Sequence, residues 1–180
     1  MSEPAPPAAP ARAPLIVTAT LPADLQGWAE GLRRAHFPPE RNHLAAHVTL
    51  FHALPAMVAE EARELLSRLC ATCPPPPARL EKIMNLGGGT AFAIASPAML
   101  DLRAGIAERF HGMLTAQDGH APRLHVTIQN KVTPAEARAL QARLTAAFRE
   151  RDFAFAGLEL HRYLGGPWQK LGAWTFRGRR

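Results

Sequence analysis

The sequence predicts an α+β protein of two lobes of similar build, each a central antiparallel sheet with helices outside. Three observations predict it. Strand-type and amphipathic helical segments alternate along the 180 residues. The tetrapeptide His-Val-Thr-hydrophobe occurs at His47–Leu50 and again at His125–Ile128. Each copy leads through a loop into a similar helical pattern, Glu60-Glu61-Ala62-Arg63-Glu64-Leu65 after the first and Ala135-Glu136-Ala137-Arg138-Ala139-Leu140 after the second. A solenoid needs at least about three units, so a twofold repeat reads as two lobes around an approximate two-fold axis.

The elements follow in order. Met1 to Pro14 is Pro/Ala-rich and low in complexity, and is expected as a disordered tail before one bilobal domain over residues 15–180. Leu15 to Thr20 is apolar and β-branched, a strand. From Pro22, the helical recurrence of Leu25, Trp28, Ala29 and Leu32 predicts a helix that Phe37-Pro38-Pro39 ends. Leu44 to Leu54 is the first motif strand. Val58 to Ala71 carries the stripe Val58, Ala62, Leu65, Leu66, Leu69 and reads as a helix, stopped by the prolines 74–77.

Ala78 to Asn85 and Thr90 to Ala95 read as a hairpin through Gly87-Gly88-Gly89. No Gly-Lys-Ser/Thr follows those glycines, so they do not form a phosphate cradle. Pro97 to Leu114 is a helix with Leu100, Ile106, Phe110 and Leu114 inward, and Arg123 to Val132 is the second motif strand. Thr133, with Glu136 three residues on, caps a helix over Pro134 to Arg149. Phe153 to Leu164 and Lys170 to Phe176 form a closing hairpin through Gly165-Gly166-Pro167. Trp28 and Trp174 read as core.

Composition excludes some classes. With 47% hydrophobic and 20% charged residues the chain is ordinary for a globular protein. No apolar run approaches the ~18 residues that span a bilayer. No stretch of signal-peptide type stands in the tail, so a cytoplasmic monomer away from membranes is expected. Cys70 and Cys73 fall at a predicted helix end and are given no role. The net charge of +6 lies wholly in the second half: residues 1–90 balance eight Lys+Arg against eight Asp+Glu, and residues 91–180 carry thirteen against seven. A basic half draws polyanions.

The chemistry lies in the twin tetrapeptide. Side chains alternate along a strand, so His and Thr at i and i+2 share a face while Val and Leu or Ile anchor the backbone from behind. Two such strands would bring two imidazoles and two hydroxyls to one cleft. An unperturbed imidazole pKa of ~6.5 lets one copy be neutral and the other protonated near pH 7, the requirement for paired general base and general acid. Carboxylates and cysteines are absent near the motifs, and a His/Thr set favours proton transfer over metal ligation. Neither a metal nor a cofactor is expected.

At these motifs, 78 residues apart, the chain resembles the two-histidine (2H) phosphoesterase superfamily, which includes 2′-5′ RNA ligases and 2′,3′-cyclic nucleotide phosphodiesterases. The resemblance covers about Leu15 to Phe176. It implies a bilobal fold with both motifs lining a central groove, His47 and His125 as general acid and general base, and Thr49 and Thr127 as hydrogen-bond donors to the phosphate. Which histidine plays which part stays open. Relatives often carry a basic residue two positions past the second motif, where this chain has Asn130, followed by Lys131. Strand parity places Lys131 and Arg123 on the face of His125. Arg123, two residues before it as in the Arg-x-His of many relatives, is the better phosphate contact.

Phe51 has the parity of His47 and Thr49, and two roles are open to it: stacking on a nucleobase or closing an apolar lip of the groove. Tyr163 and Trp168 in the last hairpin could form a similar platform. His43 has the parity of His47, whereas His36, His52, His111, His120 and His161 have no distinguishing spacing. The expected function is metal-independent phosphoesterase chemistry on 2′,3′-cyclic phosphates or 2′-5′ phosphodiesters, with an RNA end or nucleotide as partner. The alternatives are hydrolysis of a small-molecule cyclic phosphate or nucleotide, and a non-catalytic RNA-binding module.

Overall fold

A computed structural model describes residues 12–179. Eight strands and four α-helices run in the order β1 (Leu15–Thr20), α1 (Ala23–His36), β2 (Val48–Leu54), α2 (Ala59–Thr72), β3 (Pro77–Asn85), β4 (Thr90–Ala95), α3 (Pro97–Arg109), β5 (His125–Gln129), α4 (Pro134–Ala147), β6 (Arg151–Ala154), β7 (Gly157–Tyr163) and β8 (Trp168–Thr175). They form two four-stranded antiparallel sheets, β2-β1-β7-β8 and β5-β4-β3-β6. Each motif strand is an edge strand of its sheet, and the two edges, β2 and β5, abut at the centre of the molecule.

The expected two-lobed α+β architecture is what the chain adopts, with one feature the repeat did not reveal. Two helices reach across to the other lobe. α1 leaves the first sheet and packs on the back of the second, where Trp28 meets Phe92 of β4 at 4.8 Å between ring centroids. α3 keeps its packing against β3 of its own sheet, while its Arg103 reaches across to β2 and lies over the ring of Phe51. α2 and α4 stay on the backs of their own sheets. The core runs through both lobes, with Leu15, Val17, Val48, Leu50, Phe92, Val126, Ile128 and Leu158 in one buried cluster. Burial of each such side chain contributes roughly 1.5–3 kcal/mol.

Several boundaries differ from expectation. The segment from Phe153 to Leu164 is two strands: β6 pairs with β3 in the second sheet, and the chain then crosses at Phe155-Ala156 to place β7 beside β1 in the first. α3 stops at Arg109, and Gly112 adopts φ +81 in the turn beyond. The capping box is formed, Thr133 Oγ1 accepting from the Glu136 N–H and the Glu136 carboxylate accepting from that of Thr133. The triple glycine is the β3–β4 turn, as expected. It packs so closely on the end of β5 that a side chain at Gly89 would collide with the Gln129 carbonyl.

Of the expected tail, residues 1–11 lie outside the described residues. Ala13 is buried, and the Pro14 carbonyl accepts from the Tyr163 N–H at 3.0 Å. Trp28 is 37% exposed, so it lies at the edge of the core instead of inside it. Cys70 and Cys73 are free thiols, and burial pushes Cys70 up to about 11. No helix among the described residues is long and apolar enough to cross a membrane.

Candidate active site

The two histidines are mounted identically. His47 stands one residue before β2, and its Nδ1 lies 2.7 Å from the Ala45 carbonyl. His125 opens β5, and its Nδ1 lies 2.7 Å from the Arg123 carbonyl. A carbonyl oxygen only accepts, so in each ring Nδ1 carries the hydrogen and Nε2 is the nitrogen left for chemistry. Two residues on, Thr49 and Thr127 are half-buried, while Val48, Leu50, Val126 and Ile128 are buried behind them.

Both motif strands break register at the same place. Thr18 faces Thr49 but Val17 faces Phe51, which leaves Leu50 as an extra residue; Ala91 faces Thr127 but Thr90 faces Gln129, which leaves Ile128 extra. A one-residue bulge inverts the alternation beyond it. The His/Thr face therefore ends at the threonine in each lobe. This corrects the placement of Phe51: its ring is wholly buried under the Arg103 guanidinium, on the helix side of the sheet. It can neither stack on a base nor form a lip. The equivalent Gln129 is also buried, its Oε1 accepting from the Thr90 hydroxyl at 3.0 Å.

The surroundings of the two imidazoles differ. The indole of Trp168 stands 4.8 Å from His47 and 5.3 Å from His161, centroid to centroid. Burial lowers His47 to about 4; the Ala45 carbonyl works against that shift, and the charges of Arg33, His161 and His125 add to it. A cavity of about 500 Å³ opens beside His47, over the face of β7 and β8, lined by Glu159, His161, Trp168, Lys170 and Trp174. Glu159 accepts from His161 Nε2 at 3.0 Å and from Lys170 Nζ at 2.6 Å, and these bonds hold its carboxyl down at about 2.

The other expected contacts divide. Trp168 lines the cavity, and Tyr163, its partner across the β7–β8 ladder, is 40% exposed at that end of the hairpin. His43 also lines the cavity. Arg123 is exposed, with its carbonyl holding His125. Lys131 does not continue the strand: β5 stops at Gln129, and Lys131 adopts φ 60 in the turn, its N–H donating to Asn130 Oδ1 at 2.8 Å. The parity argument for it fails.

Residues that sequence reasoning missed hold the site in place. On α1, Gln26 donates to the Ala46 carbonyl at 2.8 Å and Glu30 accepts from the Ala46 N–H at 2.6 Å, clamping the peptide beside His47. Asp118, buried in the loop before β5, accepts from the N–H groups of His52 and Ala53 at the end of β2, at 2.8–3.0 Å. Burial works to raise its carboxyl, but the bonds from His52 and Ala53 outweigh that and keep it below the usual range. The one sequence signal was on α1, where Gln26, Glu30 and Arg33 fall at i, i+4 and i+7.

Comparison with known proteins agrees with this architecture. The family model described as the 2′-5′ RNA ligase superfamily matches residues 21–167. TT0787 of Thermus thermophilus superposes with a TM-score of 0.62 at 16% identity, over 93% of this chain and 100% of that one. E. coli LigT complexed with 3′-AMP gives 0.59 at 18% identity, over 92% and 98%. The E. coli LigT complex with NADP+ gives 0.56 at 18% identity over the same shares. No curated protein sequence matches the chain. These structural likenesses show a shared fold, and the family model spans both histidine motifs. The family the motifs resemble is thus the one to which the chain belongs, the 2′-5′ RNA ligase superfamily of 2H phosphoesterases.

Proposed function

We propose that the protein opens 2′,3′-cyclic phosphates, or makes and breaks 2′-5′ phosphodiester bonds, at RNA ends, without a metal, with His47 as general base and His125 as general acid. The observation that carries this reading is the pair of identically tethered imidazoles in unlike surroundings. With its value at about 4, His47 is neutral near pH 7, and its free Nε2 can take a proton from an attacking water or hydroxyl. The reaction also needs a proton donor, and that part falls to His125. As the new P–O bond forms, the bond to the departing ribose oxygen breaks and that oxygen takes the proton from His125.

The hydroxyls of Thr49 and Thr127 donate to the non-bridging oxygens, and Arg123 adds positive charge at the second motif. Ligation is the same opening with a 5′-hydroxyl in place of water, and cleavage of a 2′-5′ bond is that path reversed, with the histidines exchanging roles. The nucleoside next to the phosphate fits the cavity beside His47, against Trp168 with Tyr163 at the rim. E. coli LigT has been crystallised with 3′-AMP, with ATP and with NADP+, which supports a nucleotide as the ligand here. The test is incubation with an oligonucleotide ending in a 2′,3′-cyclic phosphate in the presence of a chelator, with products identified by mass. A 2′-phosphate is expected. Activity that survives His47→Ala or His125→Ala overturns the assignment of roles.

A second reading, a free cyclic mononucleotide as substrate, is favoured by one observation. The cavity lies on the first lobe's side of His47 and holds about 500 Å³, enough for one nucleoside. Comparing a mononucleotide with an oligomer decides between them.

A further inference from the structure

The helices α1 and α3 each carry one buried arginine, and the two arginines do the same work from opposite lobes. Arg33 of α1 donates through Nη1 to the Thr127 carbonyl at 2.8 Å, and through Nε and Nη2 to Asn42 Oδ1 at 3.1 and 2.9 Å. It ties the second motif's strand to the loop that leads into the first motif. Arg103 of α3 donates through Nε to the Leu50 carbonyl at 3.3 Å and through Nη2 to the Asp118 carbonyl. It ties the first motif's strand to the loop that leads into the second. Each guanidinium covers an aromatic ring at 4.3 Å, Phe37 for Arg33 and Phe51 for Arg103. They are 3% and 4% exposed.

Their charges are balanced in the same way, and each guanidinium donates only to neutral oxygens. The Asp118 carboxylate stands near Arg103 and supports its charge. The Glu30 carboxylate, which accepts from the Ala46 N–H and the Gln26 amide, stands near Arg33 and supports its charge in the same way. A cation buried on neutral partners is a cost to folding. The field of Arg33 is felt in the groove, where it bears on His47.

We propose that Arg33 is a positioning residue for the reaction: it locks the His47 loop and the Thr127 strand into one unit and fixes a positive charge behind the groove. The proposal rests on the function proposed above for its kinetic arm only. The titratable groups about His47 are Glu30 and Arg33 from α1, His43 from its own loop, Glu159 and His161 from β7, Lys170 from β8, and His125 from the second motif.

The test compares Arg33→Met, Arg33→Lys and Arg103→Met, each checked for folding by thermal melting. Two readouts are taken: the pH profile of cyclic-phosphate opening, and an NMR titration of the His47 imidazole. Arg33→Met is expected to lower kcat by about 100-fold with KM little changed, since misplacement of about 1 Å has that effect. It should also move the acid limb, and the His47 titration, to higher pH. Arg33→Lys keeps the charge and loses the fork, so kcat falls while the limb stays. Arg103→Met should slow turnover and leave the limb in place.

A folded Arg33→Met protein with parental kcat, or with an unmoved His47 titration, overturns the proposal. If Arg33→Met does not fold, Asn42→Ala must lower kcat without moving the limb, and unchanged kcat there overturns it. A parent that turns over no cyclic phosphate defeats the function proposed above, and the His47 titration then decides the charge arm alone.

Discussion

Trp168 stacks at a tilt of 53° against His47, with 4.8 Å between the ring centroids, and among the described residues the His125 ring has no such aromatic neighbour. The indole covers part of the His47 ring. In Trp168→Ala, water reaches His47 and its pKa rises from about 4 toward the ordinary 6.5. The acid limb of kcat/KM should therefore move to higher pH. KM for a cyclic nucleotide should also rise about tenfold, the scale of one lost stacking contact. Trp168→Phe should restore most of both. An acid limb that stays put in Trp168→Ala means the indole does not set the protonation of His47.

His47 must be neutral to accept a proton, so activity is kept above its pKa and falls as pH drops through about 4. A pH–rate profile on a cyclic phosphate substrate checks this. An acid limb near 6.5 would show that His47 is not the base.

Loss of either imidazole should lower kcat by roughly 10²–10⁴, the usual weight of one general acid or base. Because the proposed step needs both proton transfers together, the double variant His47→Ala/His125→Ala should be no slower than the worse single variant by any large factor. Fully additive losses, measured under single-turnover conditions, would mean that the two histidines act in separate steps.

Glu159 makes a prediction about stability. Its folded pKa, about 2, lies below the ordinary 4.5, so its contribution is complete above that ordinary value and is lost as pH falls toward 2. The contribution is about 3 kcal/mol by linkage. Glu159→Gln should lower the melting temperature at pH 7 and flatten its dependence on pH between about 5 and 3. An identical pH dependence in both proteins would refute the role.

Asp118 anchors the far end of β2, and removing its carboxylate strands the N–H groups of His52 and Ala53. Asp118→Ala should lower unfolding free energy by about 3 kcal/mol, the scale for one partner lost from a buried charged network. Urea denaturation with an unchanged m-value reads this. A loss below about 0.5 kcal/mol would place the carboxylate in solvent.

Much of the fold was legible because hydrophobic periodicity is local. The strands β1, β3 and β4 and the helices α1, α2 and α4 begin and end within about two residues of where their patterns and caps place them. What was not legible depends on partners far along the chain. β2 starts at Val48, not Leu44, because Ala45 and Ala46 give their polar groups to His47, Gln26 and Glu30. Phe51 was misplaced because a bulge is a property of register between two strands, invisible in either alone. His161 and Glu159 gave no signal because their meeting with Lys170 and Trp168 exists only once β7 and β8 are paired. The His/Thr quartet was legible because it is written twice.

The reach of α1 and of Arg103 across the lobes has a mechanical consequence. α1 is covalently part of the first lobe and packs on the second, and Arg103 of α3 bonds back to β2 of the first, so parting the lobes would break both sets of contacts. The two sheets are therefore expected to unfold together, which coincident loss of both in a urea titration checks.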